Sequence, residues 1–192
     1  MSDTIVIAHS VHGHTRRVAE TVRDAAQAEL VMIDASGRIP PEAWERLARA
    51  RTLVFGTPTF MGGPSWQFKR FADDSYAAWS AGAWRDKFAA GFTDSAAMNG
   101  DKQTVLLYLV TLALQHAMLW IGSGERPAAG RDARRDDVNY VGAFAGLMTT
   151  SPIDIEADAM SPGDLVTARL FGERVAAVTA ARGLSAGSGA CR

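Results

Sequence analysis

The chain has 192 residues, 47% of them hydrophobic and 21% charged, and a formal net charge of −1. That is enough for one packed core without staples, in the composition of an ordinary soluble globular protein, and near-neutrality gives no reason to expect nucleic acid or an anionic membrane as the main partner. The one cysteine, Cys191, is next to last, which excludes an internal disulfide and a cysteine metal cluster and fits a reducing, cytoplasmic setting.

The opening "MSDTIVIAHS" has no basic start and too short an apolar run for a signal peptide. Its β-branched part, "TIVIA" (4–8), predicts a buried strand. From Thr15 the period turns helical, with Val18, Ala19, Val22, Ala25 and Ala26 on one face. "LVMID" (30–34) predicts a second strand, and Pro41 opens a helix striped by Trp44, Leu47 and Ala48. "TLVFG" (52–56) predicts a third strand; the loop "TPTFMGGP" leads to a helix carrying Phe68, Phe71 and Ala72.

"KFAAGFT" (87–93) predicts a fourth strand with Lys87 snorkelling at its start, followed by the loop "DSAAMNG". A helix over 103–116, apolar nearly all round, then runs into a fifth strand at "MLWI" (118–121). The uninterrupted apolar part is about eleven residues, against the roughly 20 a bilayer span needs, so no membrane segment is expected. Apolar surplus on that helix instead predicts association into a dimer or tetramer.

Residues 122–137 set Arg126, Arg131, Arg134 and Arg135 against Glu125, Asp132, Asp136 and Asp137, and predict a solvated insertion that interrupts the fifth strand. Apolar character resumes over 141–149. Ser161, Pro162 and Asp164 cap a last helix with Leu165, Phe171, Val175 and Val178 on its core side. Trp66, Trp84 and Trp120 are assigned to packing. One domain over 1–183 and a flexible tail over 184–192 are expected.

Solid apolar strands alternating with helices predict a doubly wound parallel α/β sheet covered on both faces. Ligands of such sheets bind beyond the strands' carboxyl ends, at the switch in strand order. Three loops there have unusual content: 9–15, 57–64 and 94–100.

The first, "HSVHGHT", holds His9, His12 and His14. Zinc would accept imidazoles, but no carboxylate lies nearby, and the positive end of the following helix repels a cation. An anion fits better. A Gly13 turn, the hydroxyls of Ser10 and Thr15, and free helix N–H groups converge on a phosphate, which would also offset Arg16 and Arg17 in the first turn. Those two arginines could equally be solvated, and "MGGP" could be no more than a tight turn. Neither the triphosphate-loop spacing nor Gly-x-Gly-x-x-Gly is present.

"SVHGHTRRVAE" resembles the phosphate loop of flavodoxin-like proteins, S-x-x-G-H/N-T-x-x-x-A. "GTPTFMGGPSWQFKRFADDS" is similar to the second loop and helix of the flavodoxin-like NAD(P)H:quinone oxidoreductases, the tryptophan-repressor-binding-protein-like flavoproteins. The likeness continues through "WSAGAWRDKFAAGF" and "GDKQTVLLYLVTLALQHAM", covering residues 4–122, with a weaker echo to 181.

The resemblance implies a flavodoxin-like five-stranded sheet of order 2-1-3-4-5, its fifth strand interrupted, and FMN as cofactor with no metal. By that resemblance Ser10, Val11, His12, Gly13, His14 and Thr15 would wrap the FMN phosphate. Thr57, Pro58, Thr59, Phe60, Met61 and Gly62 would edge the isoalloxazine ring. Thr93, Asp94, Ser95, Ala96, Ala97 and Met98 would meet the ring's pyrimidine edge and the ribityl side. His116 would lie near the flavin face, unless it is a satisfied polar residue at a helix end. Trp79 would border the nicotinamide and quinone site, unless it is a core or interface aromatic.

Two departures stand out. The family has an aromatic residue at His12, and it is glycine-rich where this chain has Ala96, Ala97, Met98 and Asn99, for which positive φ is costly. The activity implied is hydride transfer from NAD(P)H to flavin, then two electrons to a quinone-like acceptor. An electron-carrying flavodoxin, or an interaction protein with weakened FMN binding, are the alternatives.

Overall fold

The structure, a computed structural model, describes residues 2–186, with side chains through Ala181. Cys191 and the part of the expected tail from 187 onward lie outside the described residues; residues 184–186 continue the last helix.

The strands are Thr4–Ala8 (β1), Glu29–Met32 (β2), Thr52–Phe60 (β3), Gly63–Pro64 (β4), Phe88–Ser95 (β5), Leu119–Trp120 (β6) and Leu147–Thr150 (β7). The helices are His14–Ala26 (α1), Pro41–Arg49 (α2), Trp66–Asp74 (α3), Tyr76–Ser80 (α4), Lys102–Gln115 (α5) and Pro162–Ala186 (α6), with a 3₁₀ turn over Ala157–Ala159. The order is β2-β1-β3-β5-β6, with β7 also on β5 and β4 on β3. In terms of parallel strand positions this is the expected 2-1-3-4-5. Its fifth position is split: β6 pairs with Phe88 and Ala89, and β7 with Phe92 to Ser95. Residues 121–146 leave the sheet between these two short pairings.

Alternation along the strands sorts the core into two layers. Ile5, Ile7, Leu53 and Phe55 point to the side covered by α2, α3 and α5, where Leu47, Phe68, Phe71 and Leu109 are buried. Val6, Ala8, Val54, Ala90 and Phe92 point to the side covered by α1 and α6, against Val18, Val22, Phe171 and Val175. Burial on both faces is why each strand reads as a continuous apolar run. Among the described residues no helix is long and apolar enough to cross a membrane.

Four local expectations are corrected. Residues 57–60, expected as loop, extend β3: Thr57 and Pro58 pair with Thr93 and Asp94, and Thr59 and Phe60 fold back on β4. The hairpin tip, Met61 and Gly62, takes φ of 49° and 74°, the double positive φ that two-residue hairpins need. Trp66 is 60% exposed rather than packed, whereas Trp84 is fully buried. Lys87 does more than snorkel, since its ammonium donates to the carbonyls of Leu47, Ala48 and Ala50 at the end of α2. The 122–137 insertion is docked as well as solvated: Arg135 binds Asp164 at 2.9 and 2.6 Å, and Ser161 donates to Asp136 at 2.6 Å. The residues expected to cap α6 thus also hold the insertion.

Candidate functional site

The carboxyl ends of β1, β3, β5 and β7 open on a cavity of about 450 Å³. Its walls are Ser10, Val11, His12, His14 and Thr15; Pro58, Thr59 and Phe60; Asp94, Ser95 and Ala96; and Ser151 with Ile153. All three loops singled out in the sequence therefore reach it. The helix at its edge starts bare: Gly13, at φ 93° and ψ −26°, precedes α1 with no side-chain cap and no acidic residue in the first turn. The first N–H groups of any α-helix lack intrahelical partners, so this end presents donors and a partial positive charge. Ser10 Oγ accepts from Gly13 N at 3.1 Å and holds the turn in place.

The three imidazoles do not converge. Buried His9 shares a 2.8 Å hydrogen bond between Nδ1 and Ser65 Oγ, and burial pushes its pKa down. His14 Nε2 lies 2.9 Å from the carbonyl of Ile155 and must carry the proton, since a carbonyl only accepts. His12 is exposed. Among the described residues no group of three or more His, Cys, Asp or Glu could hold a metal ion.

The polar wall is built from β5 and β7. Asp94, 5% exposed, accepts at Oδ1 from Thr149 Oγ1 (2.6 Å) and Ser151 Oγ (2.9 Å). Burial pushes its pKa up to about 6; the two hydroxyls and the charges of Lys102 and His14 pull the other way. Behind it, fully buried Lys102 donates from Nζ to Ala97 O and Thr150 Oγ1, both at 2.8 Å, and burial pushes it down to about 8. Thr150 N in turn donates to Asp164 Oδ2 at 2.7 Å, the carboxylate that holds Arg135. The rim is apolar and open: Val11, Phe60 and Ile153 are 51%, 41% and 88% exposed.

Several sequence-expected residues fall elsewhere. Thr57 and Thr93 are buried beneath the wall, Thr93 bound to Thr59 at 2.7 Å. Met61 and Gly62 form the hairpin tip, and Met98 lines a separate hollow with Asn99 and Gln103. Trp79 and His116 are brought together, but in a second cavity of about 260 Å³ with Ser75, Tyr76 and Gln115. There Trp79 Nε1 donates to Gln115 O at 3.0 Å and His116 Nε2 meets Ser75 Oγ at 2.9 Å. His116 Nδ1 is buried without a partner, its ring lies 4.2 Å from that of Trp84, and burial pushes its pKa down to about 4. Ser151 and Ile153 were missed. The signal was available, because a fifth strand resuming over 141–149 must send its following loop to the same end as the other three.

An open parallel sheet of this order with a crevice at the switch point defines a flavodoxin-like protein. No family model matches the chain. Flavodoxin FldP of Pseudomonas aeruginosa is 45% identical over 178 residues, covering 93% of this chain and 97% of that protein. The crystal structure of the flavodoxin, WrbA-like protein from Agrobacterium tumefaciens superposes with a TM-score of 0.76 at 44% identity, over 94% of this chain and 99% of that one. NAD(P)H dehydrogenase (quinone) of Geotalea uraniireducens is 27% identical over 200 residues, covering 92% and 97%. The chain belongs to the WrbA-like flavodoxin family.

Proposed function

We propose that the chain is an FMN-dependent oxidoreductase that takes two electrons from NAD(P)H and passes them to a quinone-like acceptor. The observation that carries this reading is the uncapped amino end of α1 at the edge of a cavity with an apolar rim. An anionic ester suits the first feature and a flat aromatic ring the second, so the residues present fit FMN. When bound, FMN would supply the electron-accepting ring, chemistry no side chain here provides.

The chain's own residues bind, orient and dry that group. Main-chain N–H groups at the start of α1, with the hydroxyls of Ser10 and Thr15, would take the phosphate. Pro58 to Phe60 and Asp94 to Ala96 would fix the ring between two strand ends, and Val11, Phe60 and Ile153 would keep water from its faces. Trp79 and His116 do not line this cavity, so within one chain acceptor contacts would rest on Phe60, Ala96 and Ile153. The outward side of α5, where Leu107 and Leu114 are 54% and 60% exposed, extends the reading to a dimer or tetramer. A monomeric mass by light scattering at micromolar concentration would remove that extension.

A second reading, an electron carrier, is favoured by the name flavodoxin carried by the 45% identical relative. Titration of the apo-protein with FMN, followed by stopped-flow mixing with NADPH, separates the possibilities. Direct bleaching of the bound flavin supports the enzyme; bleaching only through an added reductase supports the carrier. A protein that takes up no FMN overturns both.

A further inference from the structure

We infer that Asp94 is a proton-binding group in the cofactor cavity that sets how strongly the site holds a reduced, anionic ring relative to the oxidised one. The inference rests on the FMN reading and goes beyond it, because it assigns a charge state to the cavity wall.

Three observations carry it. Asp94 lines the cavity from the carboxyl end of β5 while remaining 5% exposed, so its charge is poorly screened by solvent. Both hydroxyls that reach it, from Thr149 and Ser151, meet Oδ1, so Oδ2 is the oxygen they leave for a proton or a ligand. Of the basic groups nearby, two are bound to other partners, and His12, on the same wall of the cavity, is exposed. From α5, Lys102 Nζ binds Ala97 O and Thr150 Oγ1; from α1, His14 Nε2 binds the Ile155 carbonyl. From the insertion, Arg135 is paired with Asp164 of α6, so the two charges behind the wall cancel. On the β3 side the cavity presents Pro58, Thr59 and Phe60, none of them titratable near neutrality, and His9 at the end of β1 is held towards its neutral form by burial.

Such a carboxyl has two states of opposite effect. Ionised, it is a like charge that disfavours an anionic ring. Protonated, it carries no charge and has an O–H to donate. With burial raising its pKa to about 6, the change of state falls in the pH range where the protein would work. The proton comes from solvent and returns to it; no bond to the cofactor forms, and the electrons are those of the reductant.

The test compares the affinities of oxidised and dithionite-reduced FMN between pH 5 and 8 for the native protein, Asp94→Asn and Thr149→Val. In the native protein the reduced-to-oxidised affinity ratio should fall about tenfold more from pH 5 to pH 8 than in Asp94→Asn. For a two-electron couple that is about 30 mV. Thr149→Val, which removes a donor to the carboxylate, should move the native midpoint upward by about one pH unit. In the cofactor-free protein a carboxylic-acid infrared band should titrate in near pH 6, above the range of ordinary carboxyls, and that step should be missing from Asp94→Asn. FMN binding with superimposable pH profiles for all three proteins overturns the inference and leaves the cofactor assignment standing. Failure of the native protein to bind FMN at any pH overturns the assignment, and the inference with it. Should Asp94→Asn not fold, the Thr149→Val midpoint and the native infrared titration decide alone: no shift and no such step overturn the proposal.

Discussion

Replacing Gly13 by alanine tests whether the amino end of α1 holds the phosphate. Gly13 sits at φ 93° and ψ −26°, a region that L-residues avoid. Space is not the obstacle: a Cβ there would lie 3.4 Å from Ala157 Cβ, an ordinary contact. The cost is therefore backbone strain, about 1–2 kcal/mol, or a Tm about 2–8 °C lower for a domain of this size. The strain can be relieved by rotating Gly13 out of its turn, which breaks the 3.1 Å bond to Ser10 Oγ and swings the first N–H groups of α1 away from the cavity. Losing one charge-assisted hydrogen bond costs about 1.5–3 kcal/mol, so FMN affinity should fall about ten- to a hundredfold. Gly82 supplies the control, because its φ is 63° and nothing lies within 4 Å of a Cβ built on it. Gly82→Ala should lower Tm comparably and leave FMN binding alone. Calorimetric titration and thermal melts of both variants give the comparison. If Gly13→Ala melts like Gly82→Ala yet binds FMN with native affinity, the phosphate is held elsewhere.

Lys87→Met strips the last carbonyls of α2 of their cation and should cost about 2–3 kcal/mol in urea unfolding; a loss below about 0.5 kcal/mol would make the contact incidental. Gly56→Ala places a Cβ 2.1 Å from Phe92 Cζ, and overpacking of about 1–3 kcal/mol should follow. Part of that loss should return with Phe92→Leu, and no recovery would locate the strain elsewhere. His116 is kept neutral in the fold, with a pKa near 4 against an ordinary 6.5. Its contribution is therefore complete above pH 6.5 and lost as pH falls towards 4, about 2 kcal/mol of it by pH 5. Asp94, raised to about 6 from 3.8, works in the opposite sense, gaining about 1 kcal/mol over the same descent. Urea midpoints at pH 7 and pH 5 should thus show a smaller acid loss in His116→Phe than in the native protein, and parallel losses would contradict the burial argument.

Strands and helices were legible in the sequence wherever burial imposes a pattern on neighbouring residues. "TIVIA" and "TLVFG" are solid because both faces of β1 and β3 are covered, and the α1 stripe of Val18, Ala19 and Val22 follows from one covered side. What escaped depends on partners remote in sequence. Thr57 to Phe60 read as a turn because Thr-Pro-Thr lacks a strand's apolar run; only pairing with β5 and β4 makes it extended. Chemically similar histidines could not be told apart in "HSVHGHT" for the same reason. Their roles are set by Ser65, 56 residues from His9, and by Ile155, 141 residues from His14.

The third loop carries its bulkier residues without backbone strain. Ala96, Ala97, Met98 and Asn99 would be costly there if those positions needed positive φ. Within the loop and its junction with α5, only Gly100 and Asp101 take it, at 53° and 55°. None of these four residues is strained, and the path of the segment is held from behind. Ala97 O accepts from Lys102 Nζ, whose other contact, Thr150 Oγ1, belongs to a residue fixed through its N–H by Asp164. Asp164 in turn is gripped by Arg135 from the insertion. The segment that interrupts the fifth strand therefore returns an arginine that braces this wall of the cavity.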